Sequence, residues 1–369
     1  MSIDRPRAAR SGGGQASLRP STWELLAELP VTIEEYALEP LSAKVSSEFE
    51  RLSTVIRLRG EKGEEGQGED VTYDALDHEI LQAAGPALPL AGSFTIASFA
   101  ERLRELELFP EPPQREVSQR YRLWAYESAA LDLGLRQAGT TLHALLGREP
   151  APVRFVVSLR LGEPPTLAPL RRRLELYPGL CFKLDPTSSW DEPLIAELAA
   201  TGAVESVDFK AYYSGSIVDQ PADPELYQRV VEALPEAWIE DPALTPETDA
   251  VLAEHRERFS WDAPIHSVAD IEALRYPPRM VNIKPSRLGG LHNLVDAFDY
   301  CAQRGIGNYG GGQFELGVGR GQIQYLASLF HADAPNDVAP SGFNLPDPPT
   351  GLPASPLAPS PAPLGFRWA

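Results

Sequence analysis

In the second half of this 369-residue chain, five short apolar stretches each end in charged residues. They read Phe182-Lys183-Leu184-Asp185, Val207-Asp208-Phe209-Lys210, Trp238-Ile239-Glu240-Asp241, Ser260-Trp261-Asp262 and Asn282-Ile283-Lys284. A charge at the end of a buried strand is costly and needs a partner. Successive endings lie about 22 to 32 residues apart, the length of one strand-plus-helix unit, so all of them fall on one rim of a parallel sheet. Three carboxylates meeting there, Asp208, Glu240 and Asp262, would repel one another unless a cation lay between them. All-oxygen ligation suits Mg²⁺ or Mn²⁺, and shared ligation predicts carboxylate oxygens within about 3 to 5 Å of one another. Any one of these residues alone reads as a helix cap or a loop ion pair; their repeated placement argues for a site.

The elements that must position them follow from the pattern. After Pro152, the stretches VRFVVSLRL, GLCFKLD, VESVDFKAY, AWIED, RFSWDAP, RMVNIKP, IGNYG and NDVAP alternate with helix-length segments. Asp191, Asp223 and Thr245, each close to a proline, are good helix starts. Eight such units over residues 151–344 predict a (β/α)8-type barrel, whose sites lie at the C-terminal ends of its strands. Before it, residues 21–150 read as an α+β capping domain. The pattern is β-like from Val31 to about Glu69 and helical beyond, with Thr95 or Ser98 and Ser118 as candidate caps. Residues 1–20 read as a disordered leader. The proline-rich segment 345–369 ends in Phe366 and Trp368, two aromatics out of place in a free linker, and is expected to dock back on the cap.

The stretches FKLD, VDFKAYY, WIEDP, SWDAP, VNIKPSRLGGL and YGGGQFELGVGR together resemble the enolase superfamily, in its muconate-lactonizing-enzyme and o-succinylbenzoate-synthase-like branch, over roughly residues 25 to 345. The resemblance implies a modified TIM barrel under an N-terminal α+β cap. It implies Mg²⁺ held by Asp208, Glu240 and Asp262, with Lys284 in the position of the acid/base lysine. The chain also departs from the family pattern. The usual Lys-x-Lys of the second barrel strand reads Lys183-Leu184-Asp185, so Lys183 fills either the first or the second lysine place. The usual Asp-x-Asn reads Asp208-Phe209-Lys210, and the usual Asp-Glu reads Asp262-Ala263. Lys210 either substitutes for a base or neutralises Asp185. Lys210, Asp185, Tyr309, Gly311 and Glu315 complete the list as candidate substrate-binding residues. In the family, specificity is set by cap loops, here Leu41 to Glu48, and by barrel-end residues such as Tyr212, Tyr309 and Phe314.

In such a site a lysine takes the proton α to a substrate carboxylate, and the ion stabilises the enediolate that results. Lys284 and Lys183 are the catalytic candidates. This implies a lyase or isomerase: a dehydratase like o-succinylbenzoate synthase, a cycloisomerase, or a racemase or epimerase. The alternative is a barrel that has kept its ion but lost proton transfer and acts as a binding protein.

Other classes fare worse. With 33 Lys and Arg against 52 Asp and Glu, a net charge of −19, the chain is not expected to bind nucleic acid or an anionic membrane. No long apolar run suggests a membrane span, and a cytoplasmic location is expected. Cys181 and Cys301 are too few for a disulfide scaffold and read as small buried hydrophobes. Gly305 to Gly310 spells GxGxxG but follows a helix, which argues against a dinucleotide site. His266 reads as a loop or cap residue that could face the pocket. A small carboxylate is the expected partner, and a homo-oligomer is compatible with the composition.

Overall fold

The computed structural model describes residues 20–44, 50–213 and 220–368. The leader, Pro20 aside, and residues 45–48 of the Leu41–Glu48 segment lie outside these.

The cap holds two small sheets. Residues 30–44 do not form one strand: β1 (Pro30–Ile33) and β2 (Glu35–Lys44) separate at Glu34. β1 pairs antiparallel with β5 (Gly92–Thr95), a stretch whose sequence reads as helix. β2 continues into a meander with β3 (Glu50–Arg59) and β4 (Glu65–Asp70). Thr95 caps the helix Ile96–Arg104 in a capping box with Ser98. Ser118 instead opens its helix from inside, with Val117 at the cap position.

That helix, Ser118–Gln137, is buried on most of its length, and the cap sheet lies directly on it. Gly66 and Gly68 permit the contact. A Cβ at Gly68 would come 2.0 Å from the Ala125 carbonyl oxygen, so only glycine allows the strand so close. Arg122, fully buried in the same helix, pairs with Asp70 at 2.7 Å.

Seven parallel strands form the barrel sheet, in sequence order: β6 (Val156–Leu159), β7 (Cys181–Leu184), β8 (Val204–Asp208), β9 (Trp238–Glu240), β10 (Phe259–Trp261), β11 (Met280–Ile283) and β12 (Gly307–Gly310). The eighth stretch, NDVAP, forms no strand. Pro335 precedes it and Pro340 ends it, and it contributes single bridges, Asn336 to Phe155 on one edge of the sheet and Asp337 to Gly311 on the other. Asp191, Asp223 and Thr245 cap their helices, each accepting a backbone N–H three residues on.

One hydrophobic core runs from the cap, through Ile56 and Ala129, into the barrel at Val157 and Ile239. The C-terminal segment reaches both parts. Phe366 is fully buried, with its ring 6.4 Å from Trp124 and 5.9 Å from Tyr325. The Phe366 N–H and the Arg367 guanidinium both donate to buried Asp132, at 2.8 and 2.6 Å. Cys301 is buried, Cys181 only half-buried, and both are free. Among the described residues, no helix is long and apolar enough to cross a membrane.

Candidate active site

β8, β9 and β10 deliver Asp208, Glu240 and Asp262 to the same end of the sheet. Asp208 and Glu240 are paired in register, and Asp262 follows the last residue of β10. All three are fully buried, and their ligand oxygens lie within 4.8 Å of one another. Three hard oxygen donors converging in this way fit a divalent ion such as Mg²⁺ or Mn²⁺. Ionised and buried, they also require positive charge beside them.

Among the described residues, four cations meet these acids. Lys183, from β7, donates to Glu240 and stands 3.1 Å from Asp208 and 3.8 Å from Asp337. Lys210 donates to Asp208 and lies 3.6 Å from Asp185, which is held in turn by Arg160 at 2.9 Å. Lys284 donates to Asp262 at 2.7 Å, and Arg287 to the other oxygen of Asp262 at 2.6 Å. Asp337 beside Lys183, Asp185 beside Lys210 and Asp241 beside Asp262 add further acidic groups, so the cations offset the carboxylates rather than outnumber them.

These contacts set the charge states. Burial opposes ionisation of Asp208 and Asp262. Lys210 and Lys183 reverse this at Asp208, Arg287 and Lys284 at Asp262, so both carboxyls lie below the usual range. Glu240 goes the other way, raised by its burial and by the other two acids despite Lys183. Burial disfavours the charge on Lys183, yet Glu240, Asp208, Asp262 and Asp337 outweigh it and hold that pKa well above an ordinary lysine's. At Lys284 burial prevails over Asp262, and Arg287 adds like-charge repulsion, so its pKa is lowered. Of the two lysines, Lys284 is the easier to deprotonate.

Several candidates have structural partners. Tyr309 donates its hydroxyl to Glu240 at 2.5 Å and so orients an acid of the cluster. Gly311 lies against Lys284; a Cβ there would come 2.6 Å from the lysine Cε. Glu315 accepts the Gln313 N–H and pairs with Arg320 at 3.1 Å. Tyr212 is half-exposed on the rim, its ring 6.2 Å from that of Trp261. The His266 ring bonds the Pro264 carbonyl, a loop contact.

Sequence reasoning missed Arg287 and Asp337 and assigned no role to Asp241. Arg287 was within reach, since it lies in the quoted VNIKPSRLGGL stretch, on the short helix Pro285–Leu288 that Lys284 opens. Asp241 accepts the N–H groups of Asp262 and Ala263, at 2.9 and 2.8 Å, and thereby fixes the next strand's acid from the side. Its burial, with Asp208 and Asp262 nearby, pushes its carboxyl up to about 7. Lys210, Asp241 and Phe314, all beyond strand ends around this cluster, adopt positive φ (56°, 46° and 66°). Such left-handed backbone is costly for residues with side chains and concentrates at functional sites. A separate cleft of about 790 Å³, between the helices Ala168–Leu176 and Glu192–Thr201, shares none of these residues.

Two family models match the chain: domain of unknown function (DUF8230) N-terminal domain over residues 24–145, and its C-terminal domain over residues 149–345. An o-succinylbenzoate synthase from Geobacillus stearothermophilus is 29% identical over 232 residues, 59% of this chain and 58% of that protein. The match therefore spans less than two thirds of that relative. An N-succinylamino acid racemase from an Amycolatopsis species is 28% identical over 301 residues, 75% of this chain and 76% of that one. Among solved structures, a dipeptide epimerase from Enterococcus faecalis V583 superposes with a TM-score of 0.64 at 18% identity, covering 91% of this chain and 99% of that one. A muconate lactonizing enzyme from Pseudomonas putida gives a TM-score of 0.59 at 19% identity, covering 83% and 88%.

Proposed function

Since the chain belongs to the DUF8230 family and, by its fold, to the enolase superfamily, we propose that it is a Mg²⁺-dependent lyase or isomerase. In this reading it removes the proton α to the carboxylate of a small substrate. One observation carries the proposal: Lys284, with its pKa lowered, is bonded to the third member of a buried Asp208–Glu240–Asp262 group whose oxygens lie within 4.8 Å. The three acids would hold the ion, which supplies fixed positive charge where the substrate carboxylate gains negative charge.

The remaining steps belong to the chain's own residues. Lys284, once neutral, takes the α-proton at Nζ, and the C–H electron pair moves into the carboxylate to give an enediolate. Arg287 keeps Asp262 paired when Lys284 moves off it. Lys183 and Tyr309 keep Glu240 oriented, and Asp241 fixes the backbone that carries Asp262. Lys183, Lys210 and Arg287 offset the acids around the bound ion, which leaves its positive charge to hold an anionic substrate. Return of the proton to carbon gives an isomerase, and loss of a leaving group from the β-carbon gives a lyase.

The test is exchange of substrate α-hydrogen in deuterated water, with N-succinylamino acids and other small carboxylates as probes. Exchange should require Mg²⁺, stop with chelator and vanish in Lys284→Ala while metal binding by calorimetry persists. Exchange surviving in Lys284→Ala would refute the mechanism. Asp185 and Ala263, which replace a lysine and a glutamate of the family pattern, favour a second reading, a barrel that binds a carboxylate without proton transfer. Saturable carboxylate binding with no exchange from any probe would select it.

A further inference from the structure

The loop after β12 is gripped from the cap by two buried charged side chains. We propose that Arg51 and Glu69 are positioning residues which, through this loop, fix the place of the Lys284 side chain; the inference rests on the reading of Lys284 given above. Strand alternation puts Arg51, Ser53 and Val55 on one face of β3, with Glu69 of β4 opposite Val55. Gly68 lies on the other face, the one pressed on the helix Ser118–Gln137. The Arg51 face is thus left for the barrel.

Both side chains are fully buried. Arg51 spends its donors on carbonyl oxygens. Two belong to the cap, Val71 at 2.6 Å and Thr72, and two to the loop, Gln313 at 3.1 Å and Phe314 at 3.3 Å. Glu69 accepts the N–H groups of Leu316 and Gly317 at the end of the loop, at 2.6 and 2.9 Å, and of Gly319 in the first turn of the helix Val318–Phe330 at 2.9 Å, and Ser53 steadies it at 2.7 Å. Guanidinium on carbonyls and carboxylate on amides together hold both polarities of the loop backbone. Phe314, between the two grips, sits at a φ of 66°, a conformation that needs outside restraint.

At its start the same loop touches the chemistry. A Cβ on Gly311 would come 2.6 Å from Lys284 Cε and 2.9 Å from Asn282 Nδ2. Lys284 is therefore bounded by the loop on one side and by Asp262 on the other. A small loop shift opens or closes that space, so the seating of the cap is transmitted to the lysine through the loop that Arg51 and Glu69 hold. Catalytic geometry tolerates little displacement of this kind.

The test uses the full chain as wild type, Arg51→Met, Glu69→Gln and Gly311→Ala. Backbone hydrogen exchange across residues 311–319 should speed up by about tenfold or more in the two cap variants, because the loop opens locally. With an N-succinylamino acid and Mg²⁺, their kcat for α-proton exchange should fall by about tenfold or more, with KM changed by less than about threefold, as misplacement of a catalytic group predicts. Gly311→Ala should lower kcat with loop protection intact. Arg51→Lys should give an intermediate effect, and it replaces Arg51→Met should that variant not fold. Unchanged loop protection in both cap variants overturns the proposal. So does a crystal structure of Arg51→Met, or of its lysine substitute, in which the loop has moved while Lys284 Nζ stays 2.7 Å from Asp262. A wild-type chain that exchanges no α-hydrogen would instead defeat the activity reading, and loop exchange with the variant structure would still decide the positioning.

Discussion

Replacing Lys183 with Met removes a cation that touches two members of the acid cluster. Its ammonium donates to Glu240 and lies 3.1 Å from Asp208, with both acids wholly buried and the lysine side chain only 3% exposed. At an effective dielectric of about 20, one charge pair at that 3.1 Å separation is worth about 5 kcal/mol. Breaking a buried pair by removing one partner typically costs about 3 to 5 kcal/mol, so Lys183→Met should lose roughly that much unfolding free energy in urea titrations with chelator present. With Lys183 gone, the variant's cluster is one charge more negative. It should bind Mg²⁺ more tightly than the wild type, and saturating Mg²⁺ should narrow the stability gap by at least about 1 kcal/mol. A loss below about 1 kcal/mol in chelator, or equal stabilisation of both proteins by Mg²⁺, would show that Lys183 is not the internal counter-charge of the cluster.

Three further outcomes are expected. Deleting residues 364–369 removes fully buried Phe366 and two bonds to Asp132, and should cost about 3 kcal/mol or more, read as a lower melting temperature; an unchanged transition would show that the tail contributes nothing. Gly68→Ala sets a methyl 2.0 Å from the Ala125 carbonyl oxygen, and should destabilise by about 1 to 3 kcal/mol in urea titrations. Glu127 is buried beside the helix Leu291–Arg304 and accepts the Leu291 N–H at 2.6 Å; burial raises its carboxyl from 4.5 to about 7. Because the folded-state value is the higher one, its contribution is fully present below pH about 4.5 and is lost as pH rises through about 7. Glu127→Gln should therefore gain up to about 3 kcal/mol over wild type at pH 8 and little near pH 4.5; a constant difference across that range would contradict this.

The barrel and its acid cluster were legible because each rests on a short local pattern. An apolar run ending in a carboxylate, repeated at unit spacing, leaves little freedom in where Asp208, Glu240 and Asp262 go. Features that depend on distant pairing were not legible. GSFT reads as the start of a helix because nothing local announces that β1 will pair with it. NDVAP has the composition of a strand, but Pro335 before it and Pro340 at its end restrict it to isolated bridges. Arg51 and Glu69 look like ordinary charges on an amphipathic hairpin, since their partners beyond β12 lie some 250 residues away in the chain. Tyr309 reads as a residue facing substrate, and only the register of β12 against β11 and the distance to Glu240 show which way its hydroxyl turns.

The docking of the tail on Asp132 constrains how the protein is built during translation. Asp132 belongs to the cap's central helix, and its own domain offers it the Gln67 N–H and Arg136. The Phe366 N–H and the Arg367 guanidinium arrive 234 and 235 residues later. At about 5 to 20 residues per second, a ribosome leaves that carboxylate without these partners for roughly 12 to 47 s. Throughout that interval Trp124, and later Tyr325, lack the ring that covers them in the folded chain. The cap's final closure therefore waits for Phe366 and Arg367 to be made, however fast its own strands fold.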